Sequence, residues 1–562
     1  METFFLRHAA RRVIRYFSGS RRSAKIFTAF LFLLLTALVS AGIFFFFKRG
    51  FESIARDLYY RDALILYIAE LFFLAVSFLI FAGSLITTIF TLFRRPYDFW
   101  IFASPRFRRH VSSTFARVFL SSVWPLIIVA LPALIAAERV FGFGFGGFFA
   151  GAASLFGLTL VAVLAAYIVV LGCAWILSFI PRRSSIRLSI RTLGASVGIL
   201  CAAAAFGVWQ RISASNLLDL FYVTDLERAR ASVERISEVF SVFPSHASAQ
   251  VLSTVSVGDG LHVFAPFLTL ALYVLVFCVL GAGLGYSHYR LWVRLQEGTG
   301  GRGVRIPVRL FGLRRFLARI FGMVQAAIFE KEFIVMARTG RNILWAGFIF
   351  ALWLLQTGLN IILARTITHA ELDSALISPI AVSLQFMTMV FFISAFVLRF
   401  AFPSFSAEGK TFWILGSAPI DFKKIFFGKC VFFSTLFVSL GLATALLNAA
   451  ILGLPVLGSI VVLFSFAVSI FFLTVFGLSL GALFLNLETD DPEILSTSLP
   501  GLFFILISLI YGASVTVSMY AFLAHGAFRE LAISDGASLI SAFGFLMVTS
   551  YYLRRREFVK LF

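Results

Sequence analysis

The sequence predicts an all-α, polytopic membrane protein of about twelve transmembrane helices in two six-helix halves, with both termini in the cytoplasm. Three observations carry that prediction. Hydrophobic residues make up 60% of the 562-residue chain and charged residues only 13%, against roughly 25% charged in soluble domains. Apolar runs of bilayer-spanning length recur from one end to the other. Basic residues gather in alternate connections, as the positive-inside rule requires.

The first half holds apolar runs at Lys25–Phe47, Ala63–Phe93, Val111–Ala137, Ala150–Ile180, Leu193–Trp209 and Val263–Tyr286. The second holds Ile343–Ala364, Ile377–Val397, Val431–Leu452, Ile460–Leu487, Leu499–Leu523 and Ala537–Leu553. About twenty apolar residues cross the hydrocarbon core, and each run approaches or exceeds that length. The fifth and twelfth are short and rich in Ala, Gly or Ser.

Charge fixes the expected orientation. The amino end carries Arg7, Arg11, Arg12, Arg15, Arg21, Arg22 and Lys25. The next inner loops carry Arg94 to Arg109 and Arg182 to Arg191, the middle stretch Arg290 to Arg319, and the tail Arg554 to Lys560. These segments belong inside. The longest outer loop, 211–261, holds Asp219, Asp225, Glu227, Glu234, Glu238 and Asp259. The acidic NLETDDPE at Asn486–Glu493 lies on the inner side without reversing the order, since acidic residues contribute little to orientation. Residues 3–18 place Leu6, Ala10, Val13 and Phe17 on one helical face and Arg7, Arg11 and Arg15 on the other, the pattern of an interfacial helix.

The net charge of +21 does not point to nucleic acid, because the basic residues are dispersed over short segments between apolar runs. The four cysteines lie in or beside apolar runs, without C-x-x-C spacing. They form neither a disulfide framework nor a metal signature.

The halves repeat around a glycine-rich joint at Gly298–Gly303. The domain reading is 1–297 for the first half, 298–342 for a cytoplasmic linker with an interfacial helix, and 343–562 for the second half. The closest local match lies in the loop after each second span, where YDFWIFASPRFRRHVSSTFARVF parallels KTFWILGSAPIDFKKIFFGKCVF. Phe99 and Trp100 align with Phe412 and Trp413, and Ser104 and Pro105 with Ser417 and Pro419. A pseudo-two-fold along the membrane normal suits two such halves and is common in transporters.

Sites of chemistry are few. Glu70 is the clearest intramembrane charge, and it sits near enough to an outer boundary to snorkel to water. Gln356, Asn360 and Gln385 suit bonds between neighbouring helices better than substrate binding. The seven histidines form no ligand cluster, and neither H-E-x-x-H nor G-x-S-x-G occurs. Gly409-Lys410-Thr411 imitates the end of a phosphate loop. However, Ser404 stands where that loop needs a glycine, and no strand precedes it. The sequence therefore predicts no catalytic residue, no cofactor, no metal and no enzyme activity in this chain.

The segment FPSFSAEGKTFWILGSAPIDFKKIFFGK, from Phe402 to Lys429, resembles the permease subunits of ABC-2-type exporters. More narrowly, it resembles a group of ABC exporter permeases in which two six-helix halves are fused. Phe402, Pro403, Ser406, Glu408, Gly409, Phe412, Trp413, Ser417, Ala418, Pro419 and Lys429 carry the likeness. KEFIVMARTGRN at Lys331–Asn342 is similar to that family's basic interfacial helix, and FPSHASAQVL at Phe243–Leu252 to its outer turn. The resemblance implies the membrane component of an ATP-driven exporter in the plasma (inner) membrane of a prokaryote. It implies separate ATPase subunits docked beneath, an exported substrate, and lipid and protein rather than nucleic acid as partners. Docking needs exposed aromatic anchors with basic neighbours. The candidates are Trp100, Arg106, Arg108 and Arg109 in the first loop, and Glu408, Lys410, Trp413, Pro419, Lys423 and Lys429 in the second. Glu330 and Arg338 lie beside the second loop. The readings from other classes are a secondary carrier, a membrane-bound lipid- or glycan-processing enzyme acting through Asp219, Asp225 and Asp259, and a purely structural membrane protein.

Overall fold

A computed structural model describes residues 22–55, 61–93, 107–178, 190–214, 238, 240–257, 263–298, 315, 318–319, 321–338, 340–369, 374–411, 421–486 and 495–555. The described residues are helical, with no strand among them. The interfacial helix expected at 3–18 lies outside them.

Among the described residues, fifteen α-helices follow in chain order. They are α1 (Arg22–Ala55), α2 (Arg61–Phe93), α3 (Phe107–Ser122), α4 (Leu131–Phe141), α5 (Gly144–Ser178), α6 (Ile190–Ala214), α7 (Pro244–Val257) and α8 (Phe264–Gly298). After the middle of the chain come α9 (Met323–Arg338), α10 (Gly340–His369), α11 (Ser374–Phe396), α12 (Phe422–Ile451), α13 (Val456–Leu483), α14 (Leu499–His525) and α15 (Phe528–Arg555).

Ten stretches of the described residues are long and apolar enough to cross a bilayer, against the twelve expected. The difference falls on the fifth and seventh expected spans. Among the described residues the apolar stretches there are Thr192–Ala204 within α6 and Asn342–Gly358 within α10. The last span is longer than expected, running Phe528–Leu553.

Two helices break at prolines. Pro125 has no N–H to donate, so the ladder slips into a π turn at Leu126–Ala130 before α4. Before Pro403, α11 passes into a π turn at Val397–Ala401, and then into 3-10 turns at Phe402–Ser404 and Ser406–Thr411. The second break turns the chain out of the helix at the segment that carries the family resemblance.

The chain divides into two compact units, Thr36–Arg305 and Ile306–Phe562 together with Met1–Leu35. In the first, α5 packs against α2 and α8, and α7 lies across α2, α5 and α8. Its core gathers Phe73, Val76, Ile80, Leu134, Leu155, Val163 and Ala249. The segment expected to be a simple outer loop thus contains a buried helix, α7. In the second unit α13 is central, packing on α12, α14 and α15, while α11 packs on α14. Phenylalanine fills its core: Phe386 meets Phe466 edge-on, and Phe476 contacts both Phe504 and Phe545. The abundance of Phe is therefore packing material, as its dispersal through the sequence suggests.

Small residues permit the closest approaches. A Cβ on Gly481 would lie 2.0 Å from the Phe402 carbonyl oxygen, and one on Gly477 2.1 Å from Val397. This Gly-x-x-x-Gly face of α13 seats the broken end of α11.

Candidate functional site

The break after α11 positions a buried ion network. Three elements meet there: α9, the 3-10 turn at Ser406–Thr411, and the first turns of α12. Asp421 caps α12, its side chain accepting from the Lys423 N–H at 3.1 Å. Two turns on, Gly428 lets α9 come close, since a Cβ there would lie 2.9 Å from Ile328. That approach brings Glu332 of α9 onto Lys429.

Lys429 is wholly buried. Its ammonium donates to Glu332 at 2.6 Å, to the Ser404 carbonyl at 3.0 Å and to Glu408 at 3.1 Å. All three N–H groups are thereby satisfied. The ammonium also lies 5.1 Å from the Phe405 ring centroid. Lys331, next along α9, donates to Glu408 and stands 3.6 Å from Glu332. Two lysines thus face two glutamates, and the formal charge cancels. Burial opposes the charge of Glu408, but Lys429 and Lys331 outweigh it and hold its carboxyl below the ordinary carboxylate range.

The network explains why the chain departs from helix here. The π and 3-10 turns carry Ser404 O and Glu408 toward Lys429, while α12 and α9 supply the other partners. Nearby, Arg399 in the π turn places its guanidinium 4.6 Å from the Trp345 ring centroid.

Glu408 and Lys429 are thus brought together, but Lys429 cannot be a docking residue, because no part of it reaches a surface. That corrects the expectation, and the physical reason is the carboxylate pair that neutralises it inside the fold. Lys423 is exposed on the first turn of α12, and Glu330 is half-buried on α9. The backbones of Arg108 and Arg109 begin α3, and those of Arg338 and Lys410 close α9 and the 3-10 turn; their side chains lie outside the described residues. Trp100, Arg106, Trp413 and Pro419 lie outside them altogether.

Glu332 and Lys331 were not singled out as site residues from sequence. The available signal is Lys429 itself. It falls on the face of α12 that buries Ile425, Phe426, Cys430 and Phe433, so a carboxylate must face it from another element. A second buried charge was read as snorkelling. Instead, Glu70 of α2 is fully buried and bonded to His246 Nδ1 of α7, whose Nε2 lies 2.8 Å from Gln250 Nε2. Its carboxyl cannot reach water because α7 lies over it. Asn360 behaves as the sequence suggests, donating to Asn448 of α12 at 2.9 Å.

Nothing in this arrangement fits a nucleotide. The Gly409–Thr411 imitation of a phosphate loop closes a 3-10 turn. No strand occurs among the described residues to launch such a loop. The buried lysines are committed to carboxylates. Among the described residues, no group of three or more His, Cys, Asp or Glu could hold a metal ion.

One family model matches the chain, over residues 20–553, and its description is "Putative ATP-binding cassette". Comparisons with curated proteins and with solved structures found no match. The family match overturns the reading of an ABC-2-type permease served by a separate ATPase partner. That reading rested in residue detail on the segment from Phe402 to Lys429, whereas the family match extends over residues 20–553. The match attaches the ATP-binding cassette description to this chain's own family. It gives no support to a secondary carrier or to a lipid- or glycan-processing enzyme.

Proposed function

Because the chain belongs to the family described as "Putative ATP-binding cassette", we propose that it is a multi-pass membrane protein of ATP-linked transport. In this reading the Lys331–Glu332–Glu408–Lys429 network is the joint between α9 and the membrane core. The observation that carries the role of the joint is the burial of Lys429 among partners from three separate elements. A charge-neutral cluster of this kind resists separation, because each ion loses its compensation when the helices part. Movement of α9 is therefore passed to α12 as a rigid push, and the broken end of α11 moves with it. No step is assigned to nucleotide at any of these residues.

The same reading places both termini in the cytoplasm, of a prokaryote bounded by this membrane, and treats the halves as repeats. Support comes from the basic alternate loops and from like pairings in each unit. In both units the fourth span packs on the last (α5 on α8, α13 on α15).

The test is ATP turnover by the purified full-length chain in lipid nanodiscs, compared with Lys429→Met. Turnover that persists through purification to a single polypeptide, and that falls in the variant while the chain stays membrane-inserted, is the expected result. A pure, folded chain without turnover refutes the ATP link. Turnover that Lys429→Met leaves unchanged refutes the joint.

A further inference from the structure

A second buried carboxyl in the carboxy-terminal unit has no ion to pair with among the described residues. Asp535 lies on α15 within the span Phe528–Leu553 and is only 6% exposed. Its Oδ2 accepts from the Ser465 hydroxyl of α13, while Oδ1 has no hydrogen-bond partner. A hydroxyl ladder continues beside it. Ser538, on the same face of α15, lies 3.1 Å from the Tyr511 hydroxyl of α14, which donates to Ser469 of α13 at 2.8 Å.

The elements around Asp535 offer no compensating charge. α13 has no charged residue, and α14 has none beyond His525 at its exposed end. The lysines of α12 are Lys423, Lys424 and Lys429, close to its Phe422 end. Asp535 lies near the opposite face of the unit, about 10 Å along α15 from its start at 1.5 Å per residue. Arg529 and Glu530, on the first turn of α15, are exposed. Tyr511 is the one other titratable side chain of the hydroxyl ladder. An ionised carboxylate cannot remain bare in such a setting; it takes up a proton or binds a cation.

We propose that Asp535, with the Ser465 hydroxyl, is a binding site for a single positive charge, a proton or a small monovalent cation such as sodium, inside the second membrane unit. A carboxylate oxygen with no partner, beside serine and tyrosine oxygens that can turn their lone pairs inward, is the donor set that such a hard cation takes. The same oxygen carries the proton if no metal ion enters. This inference does not depend on the ATP link or on the Lys429 joint, and either can fail without the other.

The test uses dicyclohexylcarbodiimide on the intact full-length chain in lipid nanodiscs, with the modified peptide located by mass spectrometry. The carboxyl proton moves to a carbodiimide nitrogen and the carboxyl oxygen bonds its central carbon. The acyl group then shifts to nitrogen, leaving a stable N-acylurea on the aspartate. The expected result is modification at Asp535 in sodium-free, mildly acidic buffer. Suppression by sodium chloride but not by choline chloride assigns a cation site, and indifference to sodium assigns a proton site. The proposal is overturned if Asp535 stays unmodified in the folded chain from mildly acidic to mildly alkaline buffer, with and without sodium, while the same peptide is modified after unfolding in dodecyl sulfate.

Discussion

Replacing Lys429 by Met keeps most of the stem's volume and removes only the ammonium, so its consequence can be worked from the three bonds that ammonium makes. Glu332 loses a 2.6 Å partner, Glu408 a 3.1 Å partner and the Ser404 carbonyl a 3.0 Å donor. Removing one member of a buried ion pair costs about 3–5 kcal/mol, chiefly because the partner charge stays buried without compensation. Lys331 lowers that figure. It already bonds Glu408, stands 3.6 Å from Glu332, and keeps 37% of its side chain exposed, so it can swing inward. The expected loss therefore lies near the lower bound, about 3 kcal/mol, or roughly a hundredfold in the folded-to-unfolded ratio. The assay is the midpoint and slope of dodecyl-sulfate unfolding in mixed micelles, followed by tryptophan fluorescence. Lys429→Met combined with Glu332→Gln removes the stranded charge as well. The pair should then cost less than the sum of the single changes, with a coupling of about 1–3 kcal/mol. A loss below about 1 kcal/mol for Lys429→Met, or strict additivity in the double variant, refutes the claim that these charges stabilise each other inside the fold.

Three further outcomes follow from the same geometry. Gly481→Ala drives a methyl group to 2.0 Å from the Phe402 carbonyl oxygen, a backbone atom that cannot turn aside; it should destabilise by about 1–3 kcal/mol, whereas Gly544→Ala, with nothing within 4 Å, should be neutral in the same unfolding assay. Glu408 has its carboxyl held below its ordinary value of 4.5, so its contribution is complete above that value and is lost as pH falls through the lower folded-state value; the stability gap between wild type and Glu408→Gln should stay flat from neutral pH down to about 4.5 and then shrink as pH falls from there through the folded-state value. Asn448→Leu removes bonds to Asn360 at 2.9 Å and Thr357 at 3.3 Å, and should cost about 0.6–1.7 kcal/mol, the range of hydrogen bonds between membrane helices; Thr357→Val added to it should cost little more.

Membrane character was legible because it depends on length and hydropathy alone, and ten spans satisfy both. What escaped was set by tertiary packing. Glu70 lies near the end of an apolar run, where sequence permits escape to water; α7 denies that escape, and nothing in the acidic outer segment announces α7 as buried. The start of the last span was placed at Ala537, which leaves Asp535 outside it. Asp535 is instead carried inward by a helix that begins at Phe528. Lys429 was noticed but given an exposed role, since its carboxylate partner lies ninety-seven positions earlier. The glycine spacing at Gly477 and Gly481 is visible in the sequence, but its meaning depends on the broken end of α11 lying against it.

Three of the buried charged groups among the described residues, Lys429, Glu70 and Asp535, are compensated in three ways, and the contrast separates structural from functional roles. Lys429 is enclosed by opposite charges and a carbonyl, with every donor used, so it has no valence left for a ligand. Glu70 has one oxygen on His246, which stands on a separate helix, and the other without a partner. Asp535 has the Ser465 hydroxyl for company and, among the described residues, no charged partner. Full compensation stiffens a joint and makes it indifferent to solution conditions near neutral pH. Incomplete compensation leaves a group whose charge must come from outside the protein. If transport in this chain answers to an ion or to pH, the response should therefore reside at Asp535 and not at the Lys429 network, even though the network holds more charges.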